Sequence, residues 1–483
     1  MPSPLWTSDE IAQATDGRVS EPFEVTGISI DSRTLSSGDL FVALTDVRDG
    51  HEFAESAFEA GAAAALVSRP VEGGPYILVD DVLDALTELG MAARDRAEDC
   101  YRVAVTGSVG KTSVKEMIAE IFRRAGPAHW SVKSFNNHWG VPLSLARMPR
   151  ETRFAVFEIG MSTPGEIAPR SVMVAPHAAL ITKIAAAHLE GVGTLDGVAR
   201  EKADIFAGLL PGGHILLPQD SDFLDKLRAM GLDHQSQATV STFGRKTTST
   251  LRVLSSETKG RGTRAALSGF DTVLAVDLPA VGRHWADNAA AALLTACIGT
   301  DIDPSQAAAS LTNYRLPKGR GTTESLPLPN GGDAILIDDA YNANPESMRA
   351  SLAAFSERPA EGRRIVALGE MLEVGVTSEV EHVGLAEPIM AVEPDLVLLA
   401  GEGMAPLADA LTERTETIWN VKAEALDTHI KEYLNDGDHL LLKGSNASGM
   451  GKLADRLRAW SEENQTGNNK GGTERAVMGD NAI

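Results

Sequence analysis

The stretch "VAVTGSVGKTSVKEMIAEIF", residues 103 to 122, constrains this chain more than any other. Val103 to Val105 suits a buried strand. Beyond the glycine-bearing turn, Val114, Met117, Ile118, Ile121 and Phe122 recur at helical spacing along one face. A helix opening there points its free N–H groups, and the positive end of its dipole, at whatever occupies the turn. Gly107 and Gly110 let the backbone approach closely, Lys111 supplies a point charge, and Thr112 can offer its hydroxyl to a metal. The pattern predicts phosphate binding over Thr106, Gly107, Ser108, Val109, Gly110, Lys111, Thr112 and Ser113, against the plainer reading of a solvated turn that holds a lysine. The spacing departs from the standard P-loop, because Val105 stands five residues before Gly110 where that motif has glycine. What remains is the shorter Thr-Gly-x-x-Gly-Lys-Thr.

The rest of the chain supplies a matching frame. Runs at 154–159, 178–184 and 214–217 alternate with helical stretches after the strand at 103–106, which is the signature of a parallel sheet. The rhythm returns at 334–340, 364–371, 395–401 and 439–445. Between the two blocks, 237–280 is rich in Ser, Thr and β-branched residues and predicts an antiparallel excursion. Upstream, "VTGISIDSRTLSSGDLFVAL" offers two short strands, followed by a helix closed by Gly61 and another strand. The fold class is therefore α/β, and 483 residues are enough for three domains. Expected boundaries are 1–97, 98–315 and 316–461, with "RLPKGRGT" at the second joint and a disordered tail over 462–483, where apolar periodicity is lacking.

Composition narrows the function classes. A formal charge of −23 argues against nonspecific nucleic-acid or anionic-membrane binding, so an anionic substrate needs a local basic pocket. Cys100 and Cys297 give no disulfide framework and are expected reduced and buried. The N-terminal "MPSPLWTSDEIAQ" lacks the basic patch and apolar run of a secretion signal, and no apolar run approaches bilayer length. The expectation is a soluble cytoplasmic protein.

Several residues can carry chemistry. Glu158 ends the strand "FAVFEIG", on the side where an open α/β sheet binds ligands. It could hold magnesium against triphosphate oxygens, or simply meet solvent. His188 lies just after the next strand, and alone it is as consistent with packing. Lys202 shares a helix face with Leu195, Val198, Ile205, Phe206 and Leu209, so it must snorkel, pair with an anion or lose its charge. A neutral amine there can take up carbon dioxide as a carbamate, an anionic oxygen ligand for magnesium. In "GRHWADN", His284 and Asn288 stand one helical turn apart, and Asn288 could read an adenine edge or bond its own backbone. "PKGRG" puts Arg320 at a joint from which it could swing onto a phosphate. "IDDAYNANPES" sets Asp338 and Asp339 at a strand end.

Together these motifs resemble the Mur ligase family, ATP-dependent amide-bond-forming enzymes of peptidoglycan synthesis. The resemblance runs from about residue 25 to 460 through "DSRTLSSGDLFVAL", "DGHEF", "TGSVGKTSVKEM", "NNHWGVPLSLARMP", "FEIGMSTPGEI", "HLEGVGTLDGVAREKADIF", "GRHWADN", "PKGRG", "DDAYNANPESMRA", "GEMLEVG" and "LLKGS". "DAYNANPESM" and "GEMLEVG" resemble the branch that adds D-alanyl-D-alanine to UDP-N-acetylmuramoyl-tripeptide; the Asp-Asn-Pro-Arg motif of the sibling that adds the third residue is missing. The resemblance implies three parts: a small N-terminal α/β domain for the UDP substrate, a central P-loop-type domain with a mostly parallel sheet for ATP, and a C-terminal Rossmann-like domain.

Roles follow by matching positions. Asp31, Ser32 and Arg33 would face the uridine diphosphate, and Asn136 and Asn137 would line the channel toward the muramoyl peptide. The 106–113 turn would hold the triphosphate and one magnesium ion. Glu158, His188 and carbamylated Lys202 would position a second. His284 and Asn288 would lie near adenine, Arg320 against the γ-phosphate, and Asp339, Tyr341 and Asn342 near ribose or phosphates. Lys443 and Ser445 would meet the peptide or the incoming dipeptide. Two positions depart from the family: Trp285 follows the histidine of "GRH", and Asn446 follows "KGS" where arginine is common. No nucleic-acid partner is implied, and a monomer is expected. The rivals are another ligase of this fold, such as a folate-polyglutamating or tripeptide-forming enzyme, and a P-loop hydrolase or kinase. The kinase reading leaves His188, Lys202 and the third domain idle.

Overall fold

The computed structural model describes residues 4–186 and 189–474. The chain divides into two compact units, one made of Met1–Lys183, Ala199–Phe243 and Ala291–Ala307, the other of Ile184–Val198, Gly244–Ala290 and Ala308–Ile483.

The first unit contains two of the expected α/β layers. Near the N-terminus, strands Gly27–Ser29, Asp39–Val42, Ala64–Val67 and Tyr76–Leu78 pair in parallel, and Arg18–Val19 closes the edge antiparallel. Parallel pairing of Gly27–Ser29 with Asp39–Val42 means that the "SSGD" turn belongs to a crossover and not to a hairpin. The larger sheet runs in the order Thr239–Gly244, His214–Pro218, Ala178–Ile181, Tyr101–Thr106, Phe154–Glu158, Ala128–Trp130, all parallel. Its strands are buried runs such as Ala178–Ile181, as expected of a sheet covered on both faces. Strand order reverses about Tyr101–Thr106, so the crevice at the carboxyl ends opens where the phosphate turn emerges.

The 97/98 boundary is bridged by packing. Leu143 and Ala146 of the helix Gly140–Ala146 join Leu86, Leu89 and Ala93 in one apolar cluster, and the Trp6 indole donates to the Ala146 carbonyl at 2.9 Å. A shared core of this kind merges two sequence blocks into one body.

In the second unit, Leu251–Lys259, Gly262–Gly269 and Thr272–Leu278 form an antiparallel meander with a bulge at Val253/Ser255. The predicted excursion is thus correct from Leu251 onward, whereas Thr239–Gly244 pairs in parallel with His214–Pro218. A six-stranded sheet follows, with Asp333–Asp339, His439–Lys443, Arg364–Gly369, Leu396–Ala400 and Thr417–Asn420 in parallel and Thr322–Pro327 antiparallel on the edge. The final helix is Met450–Glu474, so helix replaces the expected disorder from 462 to 474. Once Leu453, Ala454 and Leu457 anchor its first turns in the core, each further residue adds a hydrogen bond to an existing helix and needs no new nucleus. No helix among the described residues is long and apolar enough to cross a membrane.

Candidate active site

The turn at 107–110 has the geometry that close phosphate approach demands. Gly107 adopts φ +150°, and a Cβ there would lie 1.9 Å from the Thr182 hydroxyl. Gly110 adopts φ +83° and opens the helix Lys111–Ala125 without a side-chain cap. The first-turn N–H groups therefore face the turn, as an anion site requires. Thr182 steadies the far wall by donating to the Val109 carbonyl at 2.6 Å, and the Ser108 amide donates to the Lys183 carbonyl at 2.8 Å. Lys111 folds back so that its ammonium donates to the Gly107 carbonyl at 2.8 Å. The buried Thr106 hydroxyl makes no hydrogen bond. A polar atom left so beside the turn suits a site completed by a polar ligand.

Glu158 is not the solvent-facing strand end that its position alone allowed. It is 1% exposed. One carboxylate oxygen accepts from the Thr112 hydroxyl at 2.7 Å and the other from the Asn136 amide at 2.8 Å. The structure thus brings Thr112, Asn136 and Glu158 together. The Asn137 side chain accepts from the Gly140 amide at 2.9 Å, just before the helix Gly140–Ala146.

Lys202 is buried on the helix Leu195–Ala203. Burial and the positive field of Lys111 hold its amine well below the usual lysine range, with Glu201 opposing. Glu201, which sequence reasoning passed over, accepts from the backbone amides of Gly165, Glu166 and Ile167 at 2.8, 3.1 and 3.3 Å. It fixes the Lys202 helix to the start of the helix Ile167–Val174. His188 lies outside the described residues.

This set fits magnesium. Thr112 and Glu158 supply hard oxygens, and burial biases the Lys202 amine toward the neutral form that carbamate formation needs. Among the described residues no three His, Cys, Asp or Glu side chains cluster as a metal cage. Magnesium does not need one, because substrate phosphates commonly complete its shell.

Each unit also holds a cavity of its own lined by residues of motifs that the sequence singled out. In the first unit, Asp31 and the exposed Arg33 form a bidentate pair at 2.9 and 2.8 Å, which holds the Asp31 carboxyl below its usual range. Beside them Thr26, Ser29, Thr34, Ser36, Asp39 and Arg147 line a cavity of about 370 Å³. In the second unit His284, Arg320 and Asp339 line one small cavity with Trp285 and Arg358. The Arg320 guanidinium lies 4.2 Å from the Tyr341 ring centre. Burial pushes the Arg358 guanidinium down to about 10, marking a cation that sequence reasoning did not single out. Trp285 is 4% exposed and packs toward Tyr314, so it fills core beside the cavity. Asn288 sits on the same helix as His284, Arg283–Cys297. Lys443 donates to Asp339 at 2.8 Å and to the Asn342 carbonyl at 3.0 Å, while the Ser445 hydroxyl donates to the Glu370 carbonyl at 2.8 Å. Asp338, which sequence alone set beside Asp339 as a candidate, is instead paired with Arg458 at 2.6 Å.

Residues 24–124 match the model "Mur ligase family, catalytic domain", 105–296 match "Mur ligase middle domain", and 328–446 match "Mur ligase, glutamate ligase domain". The UDP-N-acetylmuramoyl-tripeptide–D-alanyl-D-alanine ligase of Escherichia coli K12 is 34% identical over 441 residues, covering 89% of this chain and 93% of that one. Its counterpart in Rickettsia prowazekii is 30% identical over 455 residues, covering 93% and 99%. A crystal structure of MurF from Acinetobacter baumannii superposes with a TM-score of 0.80 at 29% identity, covering 95% and 99%.

Proposed function

The chain belongs to the Mur ligase family, and from that premise we propose that it joins D-alanyl-D-alanine to UDP-N-acetylmuramoyl-tripeptide at the expense of ATP. A carboxylate cannot accept an amine directly, because oxide is a poor leaving group. The terminal carboxylate of the tripeptide attacks the γ-phosphorus of ATP, forming an acyl phosphate and releasing ADP. The amine of D-alanyl-D-alanine then attacks the acyl carbon, and phosphate leaves from the tetrahedral intermediate.

Two anions meet in the first step, so the protein must offset their repulsion. Lys111 and the N–H groups opening its helix serve the triphosphate. Thr112 and Glu158, with Lys202 as its carbamate and His188, would hold two magnesium ions. Bound magnesium supplies electrostatic screening of the transferring phosphoryl group. Arg320 and Asp339, with Tyr341 and Asn342, serve the nucleotide from residues 316–461, and His284 and Asn288, on the helix Arg283–Cys297, approach adenine. Asp31, Ser32 and Arg33 in residues 1–97 receive the uridine diphosphate, and Lys443 and Ser445 serve the dipeptide. The same reading has a cytoplasmic monomer that acts on small molecules.

The observation that carries the proposal is the 2.7 Å bond from Thr112 to the buried Glu158, which joins the phosphate turn to a strand-end carboxylate. A coupled assay tests it: ADP release should require both the nucleotide tripeptide and D-alanyl-D-alanine, and Lys111→Ala should abolish it. ADP release without either substrate would favour a hydrolase. Turnover unchanged in Lys111→Ala would refute the assignment of the turn.

A further inference from the structure

A second lysine on the phosphate-turn helix is used by nothing so far. Lys115 is completely buried. Its ammonium pairs with Glu116 and donates to the carbonyls of Ser131 and Lys133 at 2.6 and 2.9 Å. Those carbonyls belong to the segment that follows the edge strand Ala128–Trp130. Lys133 adopts φ +54°, a left-handed conformation that a lysine rarely takes unaided. An oriented carbonyl bonded to a buried cation is the kind of over-determination that sustains such a residue. Three residues on, Asn136 donates to Glu158, and its carbonyl accepts from the Gly160 amide at 2.9 Å. A Cβ at Gly160 would lie 2.6 Å from the Asn136 amide oxygen, so this contact has little slack.

We propose that Lys115 is a positioning residue, whose ammonium pins the Ser131 and Lys133 carbonyls and so holds Asn136 on Glu158. The helix that presents Lys111 and Thr112 to the triphosphate thereby also sets the carboxylate from its other side. The kinetic consequence rests on the function proposed above; the pinning itself does not.

Two measurements on the full chain separate them. In Lys115→Met, backbone amides of 131–139 should gain about tenfold in deuterium exchange rate over and above whatever change they share with 111–125. A double-mutant cycle with Asn136→Ala then tests the route. Each single variant should lose about thirtyfold in kcat/KM, and the double variant no more than about twofold beyond either, because both act through one contact. Lys133→Gly added to Lys115→Met should recover activity, since glycine takes φ +54° without a pin. Unchanged exchange in 131–139, or losses that multiply in the double variant, would overturn the proposal. Should Lys115→Met not fold, Lys115→Gln retains an amide donor and is read by the same exchange and cycle. A wild-type chain inert toward D-alanyl-D-alanine would sink the functional reading while leaving the exchange result standing.

Discussion

Two lysines of the first unit are equally hidden and oppositely surrounded. Lys115 meets three oxygens, two backbone carbonyls and the Glu116 carboxylate. Lys202 feels the positive field of Lys111, and burial works with that field to favour the neutral amine. Removal from water penalises both charges alike; the acceptors within reach decide what the side chain becomes. Around Lys115 burial produces a strut. Around Lys202 it produces an amine biased toward its neutral form, within the field of Lys111.

Substitution by methionine, close in volume to lysine, should split the two regions in opposite directions. Lys202→Met should lower kcat by at least about 10³-fold, with no loss of thermal stability, because it removes a poorly solvated group. Bicarbonate should not restore activity, whereas a short carboxylate in solution should do so in part. A Lys202→Met enzyme that turns over at near the wild-type rate would erase the distinction. Lys115→Met should behave in reverse, costing about 3–5 kcal/mol of unfolding free energy in urea titration, because it strands a carboxylate and two carbonyls. A smaller loss than that of Lys202→Met would break the comparison.

Only half of this contrast was legible in the sequence. Lys202 stood out because Leu195, Val198 and Ile205 framed it on an apolar helix face. Lys115 stands on such a face too, three residues before Ile118 and seven before Phe122. Its role is not legible because the carbonyls that hold it, at Ser131 and Lys133, come from a separate segment 16 and 18 residues away. The long parallel strands were readable to within three residues, since buried runs such as Ala178–Ile181 have no polar alternation to confuse them, whereas the short, partly exposed edge strands Ala128–Trp130 and Thr417–Asn420 gave no such signal. Contacts fixed by long-range closure were not readable. Nothing near Glu201 in the sequence says that it binds the amides of 165–167, and nothing near Asp338 says that Arg458, 120 residues away, neutralises it. Thr239–Gly244 looked like the start of the antiparallel meander because its composition matches; its partner His214–Pro218 made it parallel.

Arg458 extends the test to the second unit. Its guanidinium reaches Asp338, whose side chain is 2% exposed, and also Glu324 and Asp455. If partner geometry governs buried charge here as at Lys115, Arg458→Met should cost about 3 kcal/mol, and adding Asp338→Asn should return part of it. Loss of stability that the second substitution deepens would mean that the guanidinium matters for packing along its stem and not for its charge.

The smallest expected effect is the one with a definite pH window. His129 precedes the segment pinned by Lys115, and one ring nitrogen lies 2.6 Å from the Ser144 carbonyl, to which it donates. Burial, reinforced by the Arg147 charge, holds this imidazole down to about 4, with the Ser144 bond opposing. His129 therefore resembles Lys202, a base that burial shifts toward its neutral form. An unfolded histidine titrates near 6.5, so between about 6.5 and 4 the unfolded chain carries a proton that the native chain refuses. The stabilising contribution is complete above that window and is lost as pH falls through it, by at most about 1.4 kcal/mol per pH unit. Urea titrations at pH 7 and pH 5 should show the wild type losing about 2 kcal/mol more than His129→Gln, whose amide can still donate to Ser144. Equal losses in the two proteins would show that this imidazole accepts its proton in the native state, and that Ser144 is acceptor enough to keep a buried base charged.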